Sequence, residues 1–133
     1  MKSSNEFTDN SKCFICGEDN PNSLMLKFTY NDNECYSIMT PEEKYQGFKG
    51  ITHGGILAAV LDEVMAKAAI NKGYCVATGE LTVRYKSPAY IGREIKIVGR
   101  IDSKKGRKVF CSGEAIQDNK IVAESSAIMI EVA

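Results

Sequence analysis

The residues best suited to chemistry lie close together, in the segment from Gly47 to Asp62. His53 is the only histidine of the chain, and Gly54 and Gly55 follow it at the start of a predicted helix. N–H groups in a first helical turn have no partner within the helix, and the helix dipole places partial positive charge there. Because glycine has no Cβ, a ligand oxygen can approach these groups closely, as in a site that polarises a carbonyl or holds an anion. The plainer interpretation is that the glycines let the chain turn into the helix, with His53 as a polar cap.

Asp62 lies on the same predicted helix without a charged partner one turn away. Its neighbours at that spacing are all apolar: Ala58, Ala59, Met65 and Ala66. A carboxylate without a partner on a buried helix is costly, so it must meet a partner at an interface, lie in a wet pocket or take part in catalysis. The alternatives without function are an exposed gap in the sheet and a bond to a distant backbone N–H. Glu63 differs, because Lys67 follows one turn later and predicts a solvated ion pair.

The spacing of these groups favours a site shared between two subunits. Gly55 and Asp62 are seven residues apart, which corresponds to about 10 Å along a helix axis. Asp62 can therefore scarcely reach a carbonyl held at its own helix start. A second, antiparallel copy of the helix can present one to it.

The elements that position these residues follow from apolar periodicity and turn formers. Residues 54–71 are rich in helix formers, lack proline and stop before Gly73, so they predict one long buried helix. Strands at 24–30 and 34–40 are predicted before it as a hairpin. Four more are predicted after it, at 74–87, 93–103, 109–116 and 121–132, with turns at 105–106 and 118–119. A buried helix must be covered by a sheet, which predicts an α+β fold with an antiparallel sheet wrapped on the helix.

Composition narrows the class of protein. The chain has 133 residues, 44% hydrophobic and 26% charged, which fits a single globular domain. Its 17 Lys and Arg balance 17 Asp and Glu, and a zero net charge argues against nucleic-acid or anionic-membrane partners. No run approaches the roughly 20 apolar residues of a membrane span, and residues 1–12 lack the apolar stretch of a signal peptide. These observations predict a cytoplasmic protein.

Five cysteines in a chain without an export signal argue against a disulfide framework. Cys13 and Cys16 have the spacing of a zinc knuckle, but one such pair supplies two ligands where a structural zinc site needs four. The prediction is therefore an ordinary loop with reduced thiols and no metal, and zinc bridging two subunits is the alternative. Cys35, Cys75 and Cys111 lie in predicted strands and are expected in the core.

The segment GFKGITHGGILAAVLDEVM resembles the signature of the hotdog-fold thioesterases, in the phenylacetate-pathway-like branch of the 4-hydroxybenzoyl-CoA thioesterase superfamily. That signature has a Gly-rich lead, a His-Gly-Gly triplet and an acid nine residues after the His. The matching residues here are His53, Gly54, Gly55 and Asp62.

The resemblance extends beyond this motif. The sequence ELTVRY followed by SPA is similar to the family's strand after the helix, with its closing Pro-Ala. CFICGEDNPNSLMLKF resembles a leader common in one branch. The resemblance covers residues 13–132, and we expect an irregular leader over 1–22 and a hotdog thioesterase domain over 23–133.

The resemblance implies a long central helix wrapped by a five- to six-stranded antiparallel sheet, paired into homodimers or homotetramers. It also implies hydrolysis of acyl-CoA thioesters at the dimer interface, without a cofactor. Gly55 N–H would polarise the thioester carbonyl, and Asp62 of the partner subunit would act as general base on water or as nucleophile. His53 would position the thioester or the carboxylate, and Thr78 falls where several relatives place a Ser or Thr that orients the water.

A second group is expected to contact the substrate: Gly54, Gln46, Gly47, Arg84 and Lys86. Many relatives of this branch carry an Asn six residues before the His, where this chain has Gly47, and the adjacent Gln46 is the candidate substitute. Arg84 and Lys86 alternate along a predicted strand and equally fit an exposed face. The alternative function is a non-catalytic acyl-CoA-binding protein, or an assembly module that recruits a partner through its leader.

Overall fold

The fold is one long helix packed on an antiparallel sheet, as seen in a computed structural model that describes residues 7–132. The elements in chain order are β1 (Thr29–Asn31), β2 (Glu34–Met39), α1 (Gly54–Asn71), β3 (Val76–Tyr85), β4 (Ile95–Lys105), β5 (Lys108–Gln117) and β6 (Lys120–Glu131). The strands lie in the order β1-β2-β4-β5-β6-β3, and every neighbouring pair is antiparallel. This arrangement confirms the predicted α+β class, with six strands.

The helix α1 begins and ends where its sequence predicts. His53 caps its start, because the imidazole accepts a hydrogen bond from the Gly55 N–H. Gly73 lies just beyond its end and donates its N–H to the Ile70 carbonyl, which closes the last turn. Neither α1 nor another helix within residues 7–132 combines the length and apolarity that a membrane span requires.

The helix is not buried all round, although its composition predicts this. Its inner face packs mainly on β4 and holds the fully covered residues, which are Leu57, Val60, Leu61, Val64, Met65, Ala68 and Ala69. Its outer face is half-buried and carries alanines together with Asp62 and Glu63. Because alanine is common on this outer face, apolar composition alone does not separate the two faces.

The helix approaches the sheet most tightly at Gly99, in the middle of β4. A Cβ at this position would lie 2.6 Å from the carbonyl carbon of Val64 and 2.7 Å from the amide nitrogen of Met65. Both atoms belong to the helix backbone, so no change of rotamer can relieve the clash. The absence of a side chain at Gly99 therefore sets the distance between helix and sheet.

We expect Gly99→Ala to lower the free energy of unfolding by about 1–3 kcal/mol or more, because the helix must move outward to admit the methyl group. Urea denaturation followed by circular dichroism measures the change. Ser103→Ala, at an exposed position of the same strand, is the matched control and should stay within about 0.5 kcal/mol of wild type. Equal stability of Gly99→Ala and wild type would contradict this packing.

The first predicted strand is wrong over most of its length, because β1 covers only Thr29–Asn31 rather than 24–30. Met25 adopts a φ of 55°, in the left-handed region, which interrupts any extended run. The Leu26 N–H donates to the Ile15 carbonyl at 3.0 Å instead of to a sheet strand. This stretch therefore pairs with the leader, and its strand-like composition reflects burial rather than membership of the sheet.

The leader itself packs against the domain. Residues 8–22 form turns without helix or strand, as predicted for the irregular leader, while residues 1–6 lie outside the described residues. Ile15 is only 5% exposed and belongs to the same apolar cluster as Leu57 and Val60 of α1. The division into a leader over 1–22 and a domain over 23–133 stays a prediction.

Candidate active site

A cavity of about 670 Å³ opens at the N-terminal end of α1. Its polar lining includes His53, Gly54 and Lys86, and its apolar lining includes Phe48 and Leu57. The loop before the helix is held in place by backbone hydrogen bonds, among them one from the Thr52 N–H to the Ala89 carbonyl at 2.7 Å. A cavity of this size and lining can hold a small-molecule ligand.

The start of the helix is closed by its own cap. The Gly55 N–H donates to Nδ1 of His53 at 2.8 Å, and His53 is exposed. Gly47 packs beside the same ring, since a Cβ there would lie 3.5 Å from His53 Cδ2. The interpretation of His53 as a polar cap is therefore confirmed. A substrate oxygen can use the Gly55 N–H only when His53 turns away from it.

Tyr85 is a residue of this cavity that sequence analysis missed. Its hydroxyl donates to the Gly54 carbonyl oxygen at 2.6 Å, and a Cβ on Gly54 would lie 3.3 Å from its ring. Alternation along β3 places Tyr85 on the same face as Leu81 and Val83, which pack towards the helix. The alternation of Leu81, Val83 and Tyr85 in the sequence is therefore the pattern that could have indicated that Tyr85 faces the helix.

Asp62 and Thr78, both predicted site residues, lie in direct contact. The Thr78 hydroxyl donates to Asp62 Oδ1 at 2.6 Å. Burial raises the pKa of Asp62, the hydrogen bond from Thr78 lowers it and the charge of Glu63 raises it, so that the pKa lies above its ordinary value. Neither Asp62 nor Thr78 lines the cavity at the start of α1. Within one chain, the Asp62 carboxylate and the capped start of α1 therefore do not share a cavity.

The remaining predicted substrate-binding residues are not all brought together. Lys86 lines the cavity with His53, as described, whereas the Gln46 side-chain oxygen accepts the Gly50 N–H at 2.9 Å and so holds the loop. Arg84 lines a different depression, together with Glu124, on the face of the sheet opposite the helix. The structure thus separates Arg84 from the cavity and gives Gln46 a local partner.

Glu63 and Lys67 form the predicted ion pair, at 3.9 Å, but the prediction that it is solvated is wrong. Their side chains are only 18% and 12% exposed, because the leader covers them. Cys13 Sγ and Cys16 Sγ lie 3.6 Å and 3.0 Å from Glu63 Oε2. Burial and the adjacent Glu63 raise the pKa of the Cys16 thiol to about 12. The two cysteines of the leader thus contact a carboxylate that lies 47 residues after Cys16 in the chain.

The sequence is similar to those of known thioesterases. Residues 49–124 match the family model described as the thioesterase superfamily. The acyl-coenzyme A thioesterase THEM4 of Xenopus laevis is 31% identical over 97 residues, which are 71% of this chain and 44% of that protein. The chain therefore spans less than half the length of this relative.

Solved structures share the fold over most of the chain. The PaaI protein of E. coli, from the phenylacetic acid degradation operon, superimposes with a TM-score of 0.76 at 17% identity, covering 80% of this chain and 83% of that one. Smu.793 of Streptococcus mutans, solved bound to acetyl CoA, gives a TM-score of 0.77 at 15% identity and covers 81% and 89%. These similarities confirm the predicted hotdog fold.

Proposed function

Because the chain belongs to the thioesterase superfamily, we propose that it hydrolyses acyl-CoA thioesters to free acid and CoA, at a site formed by two copies of the chain. One observation carries this proposal: a half-buried Asp62 is hydrogen-bonded to Thr78, away from the cavity at its own helix start. The substrate class is supported by the name of the relative THEM4, an acyl-coenzyme A thioesterase, and by the acetyl CoA bound to smu.793.

The cavity at the start of α1 receives the acyl group and the thioester. Phe48 and Leu57 provide apolar surface for the acyl chain. Lys86 lies at the edge of the cavity, and its ammonium group, now 3.2 Å from Glu124 Oε1, must leave this ion pair before it can bind the phosphates of CoA. When the imidazole of His53 turns away, the Gly55 N–H becomes the donor that polarises the thioester carbonyl. The partial positive charge of the helix start stabilises the oxyanion that forms there.

Asp62 provides the other half of the reaction. As general base it takes a proton from water while the water oxygen attacks the thioester carbon; the carbon–sulfur bond then breaks and CoA leaves as the thiol. As nucleophile it attacks the same carbon itself, the carbon–sulfur bond breaks and CoA leaves as the thiolate. Water then hydrolyses the resulting anhydride, which releases the free acid, restores the Asp62 carboxylate and supplies the proton that converts the thiolate to the thiol. In both cases Thr78 fixes Oδ1 through its hydrogen bond, which leaves Oδ2 to react.

The strand β3 can bring the Asp62 carboxylate of one copy to the helix start of another. Thr78, near its start, contacts Asp62, and Tyr85, at its end, contacts Gly54. β3 pairs with β6 on one side only, and its other edge meets no strand within residues 7–132. Antiparallel pairing of two copies along this edge, centred between Thr78 and Tyr85, places each Asp62 opposite the helix start of the other copy. Each pair then holds two complete sites.

The test is thiol release from a panel of acyl-CoAs that differ in chain length and in aromatic or aliphatic character. Equilibrium binding of CoA is measured on the same preparation. Turnover of at least one thioester supports the proposal. Binding without turnover would favour the non-catalytic alternative, and the absence of both would remove acyl-CoA as the ligand.

We expect Thr78→Val to lower kcat about 10- to 100-fold, because valine has the same shape but cannot donate the hydrogen bond that holds the Asp62 carboxylate. Thr78→Ser, which keeps the hydroxyl, should retain most of the activity. Thr82→Val is the matched control, since Thr82 lies on the opposite face of the same strand. Steady-state thiol release measures all three, and an unchanged kcat in Thr78→Val would show that this contact is only structural.

A further inference from the structure

Outside the proposed active site, we propose that Cys13, Cys16 and Glu63 bind a zinc ion that fastens the leader to α1. The three ligand atoms, two thiol sulfurs and a carboxylate oxygen, all lie within 4.8 Å of one another. They come from two segments that are far apart in the chain, and the fold brings them to one point. This site is independent of thioester hydrolysis and needs no second copy of the chain.

The distances match those of a tetrahedral zinc site. With zinc–sulfur and zinc–oxygen bonds of about 2.3 and 2.1 Å, tetrahedral angles place a sulfur and an oxygen ligand about 3.5 Å apart. The Sγ atoms of Cys13 and Cys16 lie 3.6 Å and 3.0 Å from Glu63 Oε2. The first distance therefore fits as it stands, and the second must lengthen by about half an ångström to admit an ion.

The backbone of the leader already holds the two thiols in a tight turn. The Gly17 N–H donates to the Cys13 carbonyl at 2.8 Å, and the Ile15 N–H points to Cys13 Sγ at 3.3 Å. A Cβ on Gly17 would lie 2.3 Å from the Cys13 amide nitrogen, so this turn accepts only glycine. An N–H directed at a sulfur orients the side chain that would bind the ion.

Charge and access both fit a divalent cation. On binding, the two thiols release two protons to solvent, and the two thiolates with the Glu63 carboxylate carry three negative charges around an ion of charge +2. Lys67 Nζ, 3.9 Å from the same carboxylate, offsets the remaining charge. Cys13 and Glu63 line a cavity of about 300 Å³, and Cys16 lines a second of about 390 Å³. These openings give the ion a way in and leave its fourth position to water.

The ligand set favours zinc over other common ions. Two thiolates exclude magnesium and calcium, which take oxygen ligands, while a mixed sulfur and oxygen set at tetrahedral distances is one that zinc accepts. The rival for the same residues is a disulfide between Cys13 and Cys16, which would leave Glu63 with Lys67 as its partner. Zinc content therefore separates the two explanations.

The experiment measures zinc by mass spectrometry in the chain purified under reducing conditions without chelator. We expect about one zinc per chain in wild type and loss of nearly all of it in the double variant Cys13→Ala/Cys16→Ala. Glu63→Gln should weaken zinc binding at least about tenfold, because a neutral carboxamide is a poor ligand. Cys111→Ala and Glu42→Gln, which change a cysteine and a glutamate outside the site, are the matched controls and should bind as wild type does.

Cobalt(II) provides a second readout that does not depend on stability. Wild type, Cys111→Ala and Glu42→Gln should show the thiolate-to-cobalt charge-transfer band, and the double variant should lack it even where circular dichroism shows that it is folded. Three results would overturn the proposal: a Cys13–Cys16 disulfide without metal uptake, equal zinc in wild type and the double variant, or undiminished affinity in Glu63→Gln.

Discussion

Asp62→Asn is expected to lower kcat by about 10²- to 10⁴-fold on every acyl-CoA that the wild type hydrolyses. The carboxamide has the shape of the carboxylate but neither takes a proton from water nor attacks a thioester. The Thr78 hydroxyl can still donate to the side-chain oxygen of Asn, so the fold and the edge of β3 should be preserved. Thiol release at saturating substrate, with thermal unfolding in parallel, measures the effect.

Comparing the effects of Asp62→Asn on kcat and on KM tests the catalytic role of Asp62 in a second way. Because the proposal assigns substrate binding to the cavity residues and only the chemical step to Asp62, its substitution should change the KM much less than it changes kcat. Asp102→Asn is the matched control: Asp102 is exposed on β4, where it accepts the Ser112 hydroxyl at 3.0 Å, and its loss should leave kcat near that of wild type. A variant Asp62→Asn that keeps full turnover would require another residue as base.

The second large effect is recovery of activity when two inactive variants are mixed. One is Asp62→Asn; the other is Gly54→Val, whose side chain meets the Tyr85 ring at the cavity, where a Cβ would already lie 3.3 Å away. If each site takes its carboxylate from one chain and its helix start from the other, a mixed pair has one site with both defects and one intact site. Random exchange then restores about a quarter of wild-type activity.

Subunit exchange must be shown independently for this result to be decisive. Chains of different mass, with one variant carrying an affinity tag, report the fraction of mixed pairs, and each variant exchanged with wild type gives the reference activities. Full exchange without recovery would mean that each chain holds its own complete site. Sedimentation velocity of the same mixtures measures the mass of the assemblies and shows whether the chains form the predicted homodimers or homotetramers.

The parts of the fold that the sequence predicts are those determined by local chemistry. The bounds of α1 follow from helix propensity and from Gly73 beyond its end, and the turn at Asp118 and Asn119 is confirmed by φ values of 53° and 63°. The prediction of a strand at 24–30 is wrong because the structure of this segment depends on a distant partner rather than on local chemistry. Its residues alternate as a strand does, but their partner is the leader, and Met25 turns the chain away from the sheet.

In the candidate site, too, the sequence predicts the features that depend on nearby residues and misses those that depend on distant contacts. Asp62 is recognisable because its helical neighbours are apolar, and its contact with Thr78 links two residues that the family resemblance already names. The sequence predicts an ion pair between Glu63 and Lys67, because residues four apart on a helix lie side by side. The contacts of Glu63 with the leader thiols join residues 47 positions apart in the chain, and the spacing of residues along one helix does not encode such contacts.

The open edge of β3 also bears on the solubility of the protein. On the side that does not face β6, every second one of its ten residues presents a backbone N–H and C=O that can pair with another extended chain. Pairing with a second copy would cover this row, whereas a lone copy leaves it exposed to partly folded chains. Dilution, which separates pairs, therefore produces the form most prone to aggregate, and a concentrated stock protects the protein better than a dilute one.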